Sequence, residues 1–120
     1  TAIGNFAHSR PRKGLPMFLA MNRFTVPLEN AADFEALWLG RDSHLHEMEG
    51  FVEFNMLKGP EENGRRLYAS HTVWRDEGAF RAWTTSAQFR AAHARAGDTR
   101  TLHAGAPRFE GFTSIQTMTP

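Results

Sequence analysis

A chain of 120 residues is long enough for one domain with a modest core. Its formal net charge of +1 gives no bias toward nucleic acid. It contains no cysteine, which removes disulfides, thiolate metal sites and a thiol nucleophile, and fits a reducing, cytoplasmic compartment.

No apolar run approaches the length of a membrane span, and the N-terminus does not read as a secretory signal. Ten Phe and three Trp against one Tyr suggest a pocket or a buried partner face as well as a core. Residues 1–16 carry Gly, Pro and the basic Arg10, Arg12 and Lys13 without periodicity, and read as an arm preceding a single domain over 17–118.

Residues 17–26 (MFLAMNRFTV) alternate as a strand, with Phe18, Ala20, Asn22 and Phe24 on one face and Met17, Leu19, Met21 and Arg23 on the other. Asn22 is thus a polar side chain in a row with two phenylalanines. It either bonds a neighbouring backbone group or is held out toward a ligand. Pro27 ends the strand, and Asn30 caps a helix running to about Gly40. Phe34, Leu37, Trp38 and Arg41 fall at helical spacing, so the guanidinium lies at the end of an aromatic stripe. There it can pair with a carboxylate or simply complement the helix C-terminus.

Residues 42–50 (DSHLHEMEG) form a polar connection whose His44, His46, Glu47 and Glu49 invite a zinc reading. The alternate histidines need a strand to converge, and no third ligand is specified. Residues 51–58 read as a strand, 59–65 (GPEENGR) as a hairpin loop, and 67–74 as the partner strand. Leu67, Ala69, His71 and Val73 share one face of that partner, so His71 either lines a cavity or stands on a sheet surface.

Residues 74–96 hold two short helical patterns parted by Trp83-Thr84-Thr85-Ser86. Asp76 caps the first, and Thr85 with Gln88 reads as a capping box for the second. Phe89 and His93 look along one face. A straight helix would hold Trp83 and His93 roughly 15 Å apart along its axis, whereas a break at 84–86 returns the indole toward the imidazole. Such a pair suits the axial ligand of a buried flat cofactor, and His93 is equally an ordinary rim residue. Residues 97–107, with Arg100 and His103, read as a loop. Residues 108–118 read as the last strand, with Phe109, Gly111, Thr113 and Ile115 on one side.

The order strand, helix, strand, strand, helix, strand predicts an α+β, ferredoxin-like split βαβ sandwich: an antiparallel sheet with helices on one face. The strands carry bulky apolar residues on both faces, so a homodimer burying the helix-free faces, a dimeric barrel, is expected.

Asn22, the stretch WRDEGAFRAW and AQFRAAH ending in His93 resemble the IsdG-type haem-degrading monooxygenases of the antibiotic-biosynthesis-monooxygenase superfamily. The similarity runs over about 17–118. The EGF of 49–51 and the TVWRDEGAF of 72–80 match the superfamily and imply the fold, whereas Asn22, Trp83 and His93 together imply haem degradation.

The resemblance makes His93 the proximal ligand to haem iron, its other ring nitrogen held by an acceptor. Asn22 would sit across the ring as a hydrogen-bond donor toward dioxygen. Trp83 would press the macrocycle out of plane. Trp38 and Arg41 would lie beside the haem, Arg41 facing a propionate. Phe18, Phe24 and Phe89 are plausible apolar walls. The chemistry so implied opens the porphyrin and frees iron with dioxygen and electrons from an external donor, a reductase or a small-molecule reductant, since no flavin or nicotinamide fingerprint is present. A haem-binding or transfer protein without turnover shares His93. A cofactor-free quinol-type monooxygenase shares the fold but leaves the Asn–Trp–His set unexplained.

Overall fold

The computed structural model describes residues 16–93 and 102–120. Arg10, Arg12 and Lys13 of the expected arm, Arg100 of the expected loop, and the tail of the 74–96 stretch lie outside the described residues.

Four strands form one sheet: β1 (Phe18–Pro27), β2 (Phe51–Glu62), β3 (Arg65–Trp74) and β4 (Ala104–Thr113). Their order is β2-β3-β1-β4, every neighbouring pair antiparallel. Three helices cover one face: α1 (Ala31–Leu39), α2 (Glu77–Thr84) and α3 (Ala87–Ala92). This is the ferredoxin-like arrangement expected from the element order. No helix among the described residues is long and apolar enough to cross a membrane.

Alternation fixes which side chains the helices cover. On β1, Phe18, Ala20, Phe24 and Val26 are buried. Opposite them on β3, Trp74 pairs with Phe18, Thr72 with Ala20, Ser70 with Asn22 and Tyr68 with Phe24. Directly paired residues share a sheet face, so Asn22 and Ser70 form a polar step in an otherwise apolar row. The core divides there. One cluster gathers Phe18, Leu45, Trp74, Ala79, Trp83 and Ala92 under α2 and α3. The other gathers Phe24, Val26, Phe34 and Tyr68 under α1. Phe34 and Trp74 are fully buried, each stabilising its cluster by about 1.5–3 kcal/mol.

Several boundaries differ from the sequence reading. The hairpin loop expected at 59–65 is a two-residue Asn63-Gly64 turn with φ of 54° and 77°. Asn-Gly tolerates those angles, and such a turn matches the twist of the flanking strands. Both strands therefore run on to the turn, with a register shift between Lys58 and Glu61. The last strand begins at Ala104 rather than 108 and ends at Thr113, so Ile115 lies beyond it and is exposed. Pro107 is accommodated because β4 is an edge strand.

Asn30 does not cap α1 with its side chain. Its φ and ψ are already helical, and its amide donates instead to the Leu102 carbonyl at 3.2 Å. The connection at 42–50 is not wholly polar, because Leu45, in the 3-10 turn Leu45–Glu47, enters the first cluster.

Candidate functional site

The site occupies the divide between the two clusters. A cavity of about 470 Å³, within the usual span of small-molecule sites, has Ala20, Asn22, Ser70 and Thr72 as its sheet floor. Trp38, Arg41 and His103 line it, as do Trp83, Phe89 and His93.

The break between α2 and α3 brings Trp83 and His93 together. The Asp76 carboxylate accepts from the Ala79 N–H at 2.8 Å, capping α2. After Thr84 the chain turns, and Ser86, rather than the expected Thr85, caps α3 by accepting from the Phe89 N–H at 3.0 Å. Thr85 instead turns its hydroxyl back to the carbonyls of Arg81 and Ala82. The second helix therefore starts one residue later and doubles back. The Trp83 and His93 ring centroids stand 6.3 Å apart, and the Phe89 ring stacks on His93 at 4.1 Å and 26°.

His93 Nδ1 lies 2.8 Å from the Phe89 carbonyl oxygen. A carbonyl only accepts, so Nδ1 carries the hydrogen and the neutral ring offers its Nε2 lone pair. A ring held in this way, its other nitrogen pinned by a backbone acceptor, has the arrangement of a metal-binding imidazole.

Asn22 and Ser70 face each other across β1 and β3, and both line the cavity. Among the described residues neither side chain has a hydrogen-bond partner within the protein. The amide is therefore held toward the cavity rather than spent on a neighbouring backbone group. Ser70 is 8% exposed. Thr72 turns its hydroxyl to the Ala20 carbonyl at 3.4 Å.

The wall under α1 is aromatic. Trp38 meets Phe24 edge-on at 5.7 Å and stacks on Phe54 at 6.3 Å. The Arg41 guanidinium lies over the Trp38 ring, 4.3 Å from its centroid, a cation–π contact.

The structure thus brings Asn22, Trp38, Arg41, Trp83, Phe89 and His93 to one cavity. Phe24 lines it too, but Phe18 does not. Phe18 is sealed beneath Phe80, 5.0 Å away, and it is Phe80 that reaches the cavity. His71 pairs with Met21 on the helix-free face and takes no part. His44 bonds Glu47 at 2.9 Å, and that carboxylate together with Asp42 holds its ring basic. Among the described residues no three His, Asp or Glu side chains gather as a metal set.

Sequence reading missed Ser70, Thr72, Phe54, Phe80 and the cavity-facing role of His103. Alternation gives Ser70 and Thr72 a face opposite to His71. Which face meets the helices depends on cross-strand register, which no local pattern carries.

The sequence profile described as antibiotic biosynthesis monooxygenase matches residues 17–95. No match was found among curated proteins. Among solved structures, a candidate antibiotic biosynthesis monooxygenase from Bacillus cereus is similar at TM-score 0.66 and 20% identity, over 89% of this chain and 100% of that one. The N63A mutant of SnoaB, a cofactor-independent oxygenase from Streptomyces nogalater, is similar at TM-score 0.63 and 26% identity, over 87% and 98%. A haem-degrading protein from Mycobacterium tuberculosis, in a haem-free form, is similar at TM-score 0.62 and 20% identity, over 89% and 100%.

Proposed function

The chain belongs to the antibiotic biosynthesis monooxygenase family, and within it we propose a haem-degrading monooxygenase that binds haem as its substrate and opens the porphyrin with dioxygen and external electrons. The observation that carries this reading is His93, with Nδ1–H given to the Phe89 carbonyl and Nε2 left as a donor lone pair at an aromatic-walled cavity. The likeness to the haem-degrading protein from Mycobacterium tuberculosis supports the same direction.

The residues present fit a flat, apolar, anionic ligand. Haem, when bound, supplies the redox chemistry that activates dioxygen and is itself consumed. His93 would hold the iron through Nε2. Phe89, stacked on the imidazole, fixes the ring's rotation. Asn22 offers its amide from the sheet floor, where a donor without protein partners can meet an oxygen atom. Trp83 is buried between Trp74 at 6.0 Å and Phe89 at 5.2 Å, so it is a stiff wedge against a planar ligand. Aromatic walls exclude water from the reacting centre. No acidic side chain lines the cavity among the described residues. Electrons come from a reductase or a small-molecule reductant. We also propose a homodimer joined through the helix-free sheet faces.

A second reading, a cofactor-independent oxygenase, is favoured by the likeness to SnoaB. Hemin titration of wild-type protein and His93→Ala, followed by resonance Raman or EPR, separates the two. The haem reading expects a Soret complex with an iron–imidazole signature in wild type that the variant loses. A wild-type protein that does not bind hemin supports the cofactor-independent reading. A variant that keeps the signature moves the ligand to another histidine.

A further inference from the structure

Ser70 shares the polar floor with Asn22, and nothing in the reading above gives it a task. Three hydroxyl groups of β3, those of Tyr68, Ser70 and Thr72, stand on the face that the helices cover. Two of them are spent within the protein. Tyr68 donates to Glu35 of α1, and Thr72 donates to the Ala20 carbonyl at 3.4 Å. The Ser70 hydroxyl has no protein partner among the described residues, although the residue is only 8% exposed. A hydroxyl so enclosed ordinarily makes a hydrogen bond. The part of Ser70 that stays open faces the cavity.

The residue across the strand pair points to what this hydroxyl meets. Asn22 is the direct partner of Ser70 in the register of β1 and β3. Directly opposed residues hold their Cβ atoms about 4.5–5.5 Å apart on one face. The two side chains do not bond each other, and both line the cavity. The next step of the floor is Ala20 with Thr72. Both side chains are short, which leaves room for a small ligand to settle. A hydroxyl and an amide on this spacing can each give a hydrogen to one atom lying between and above them. Donors fixed in advance by a sheet need no reorganisation when that atom arrives.

We propose that the Ser70 O–H and an Asn22 N–H form a two-point seat for one oxygen atom of dioxygen on the cavity floor. This rests on the haem reading, in which Asn22 stands across the ring from His93, and adds a hydroxyl contact on that side. Two donors hold a small acceptor more tightly than one and narrow the directions in which it can lie. Ser70 thus orients the diatomic co-substrate as well as retaining it.

The test uses the hemin complex and two small probes, without turnover. Fluoride binds ferric haem as a single-atom acceptor, and carbon monoxide binds ferrous haem as a diatomic whose stretch responds to nearby donors. Ser70→Ala is expected to weaken fluoride binding by about tenfold or more. It should also raise the C–O stretch, while the iron–imidazole signature stays as in wild type. Ser70→Thr keeps the hydroxyl and should retain both wild-type readings. Ser70→Val has the shape of threonine without the hydroxyl and should behave as Ser70→Ala does. Wild-type fluoride affinity and C–O stretch in Ser70→Ala, or equal losses in the Thr and Val variants, overturn the inference and leave the haem reading standing. Failure of wild type to bind hemin overturns both.

Discussion

His93 and Trp83 illustrate how single side chains acquire a role from their neighbours. The Phe89 carbonyl, which accepts both the His93 backbone N–H at 3.0 Å and the ring Nδ1–H at the end of α3, fixes the tautomer of His93. The indole of Trp83 is 7% exposed and touches Trp74, Phe89 and His93, so it is at once core and cavity wall. Trp83→Ala is expected to retain haem through His93 but to turn it over far more slowly. Truncating a buried Trp costs about 3–5 kcal/mol of packing, so melting temperature, hemin affinity and rate must be measured on the same folded sample. If the wedge is mechanical, out-of-plane Raman modes of the haem weaken in the variant. Unchanged modes with an unchanged rate would make Trp83 a core residue only. Helical spacing alone made the His93–Phe89 pair legible, and the polar break made the return of Trp83 legible. The tautomer and the place of His103 on the cavity wall were not, because both follow from the course of the folded chain.

The elements are held in place by a few non-local contacts. Glu35 of α1 accepts a short hydrogen bond from the Tyr68 hydroxyl of β3 and pairs with Lys58 of β2 at 3.0 Å. This anchors the helix that carries Trp38. The Tyr68 bond and Lys58 hold the Glu35 carboxyl below its usual range, while burial and Glu35 push the Tyr68 phenol up to about 12. A raised phenol favours the protonated form in the fold, so its stabilisation is complete below pH 10 and is lost as pH rises toward about 12. A lowered carboxyl acts oppositely, and its stabilisation is lost as pH falls below 4.5. Tyr68→Phe should therefore cost about 1 kcal/mol at neutral pH and flatten the alkaline limb of a denaturation series between pH 10 and 12. An unchanged alkaline limb would show that the anchor is not this pair.

Element identity was legible from period and punctuation. Boundaries were not where turn chemistry competed with glycine and proline counts. Gly59 and Pro60 suggested a loop, yet the strand passes through them because Asn63-Gly64 makes the reversal.

For the whole molecule, the unresolved balance lies on the helix-free face. Leu19, Leu57, Leu67 and Phe112 lie there around the Arg23–Glu110 ion pair, 2.7 Å, and Leu57 and Phe112 remain 41% and 47% exposed. Such a face, apolar with a satisfied ion pair inside it, matches a partner presenting the same residues across a two-fold axis. Sedimentation at micromolar concentration should report about twice the chain mass. A stable monomer would leave this face without its proposed cover. Apolar residues on both faces of each strand made this face legible in the sequence. The division of the core was not, since it arises where Asn22 and Ser70 meet across two strands that have α1 and β2 between them in sequence.

The proposed chemistry is tested most directly by mixing the protein with one equivalent of hemin, adding ascorbate in air, and following the Soret band together with released iron captured by a chelator. A haem-degrading monooxygenase gives progressive loss of the band, iron in proportion, and an open-chain tetrapyrrole, with the reaction lost in His93→Ala. A Soret band that forms and then persists under reductant and air would contradict it and leave a haem carrier.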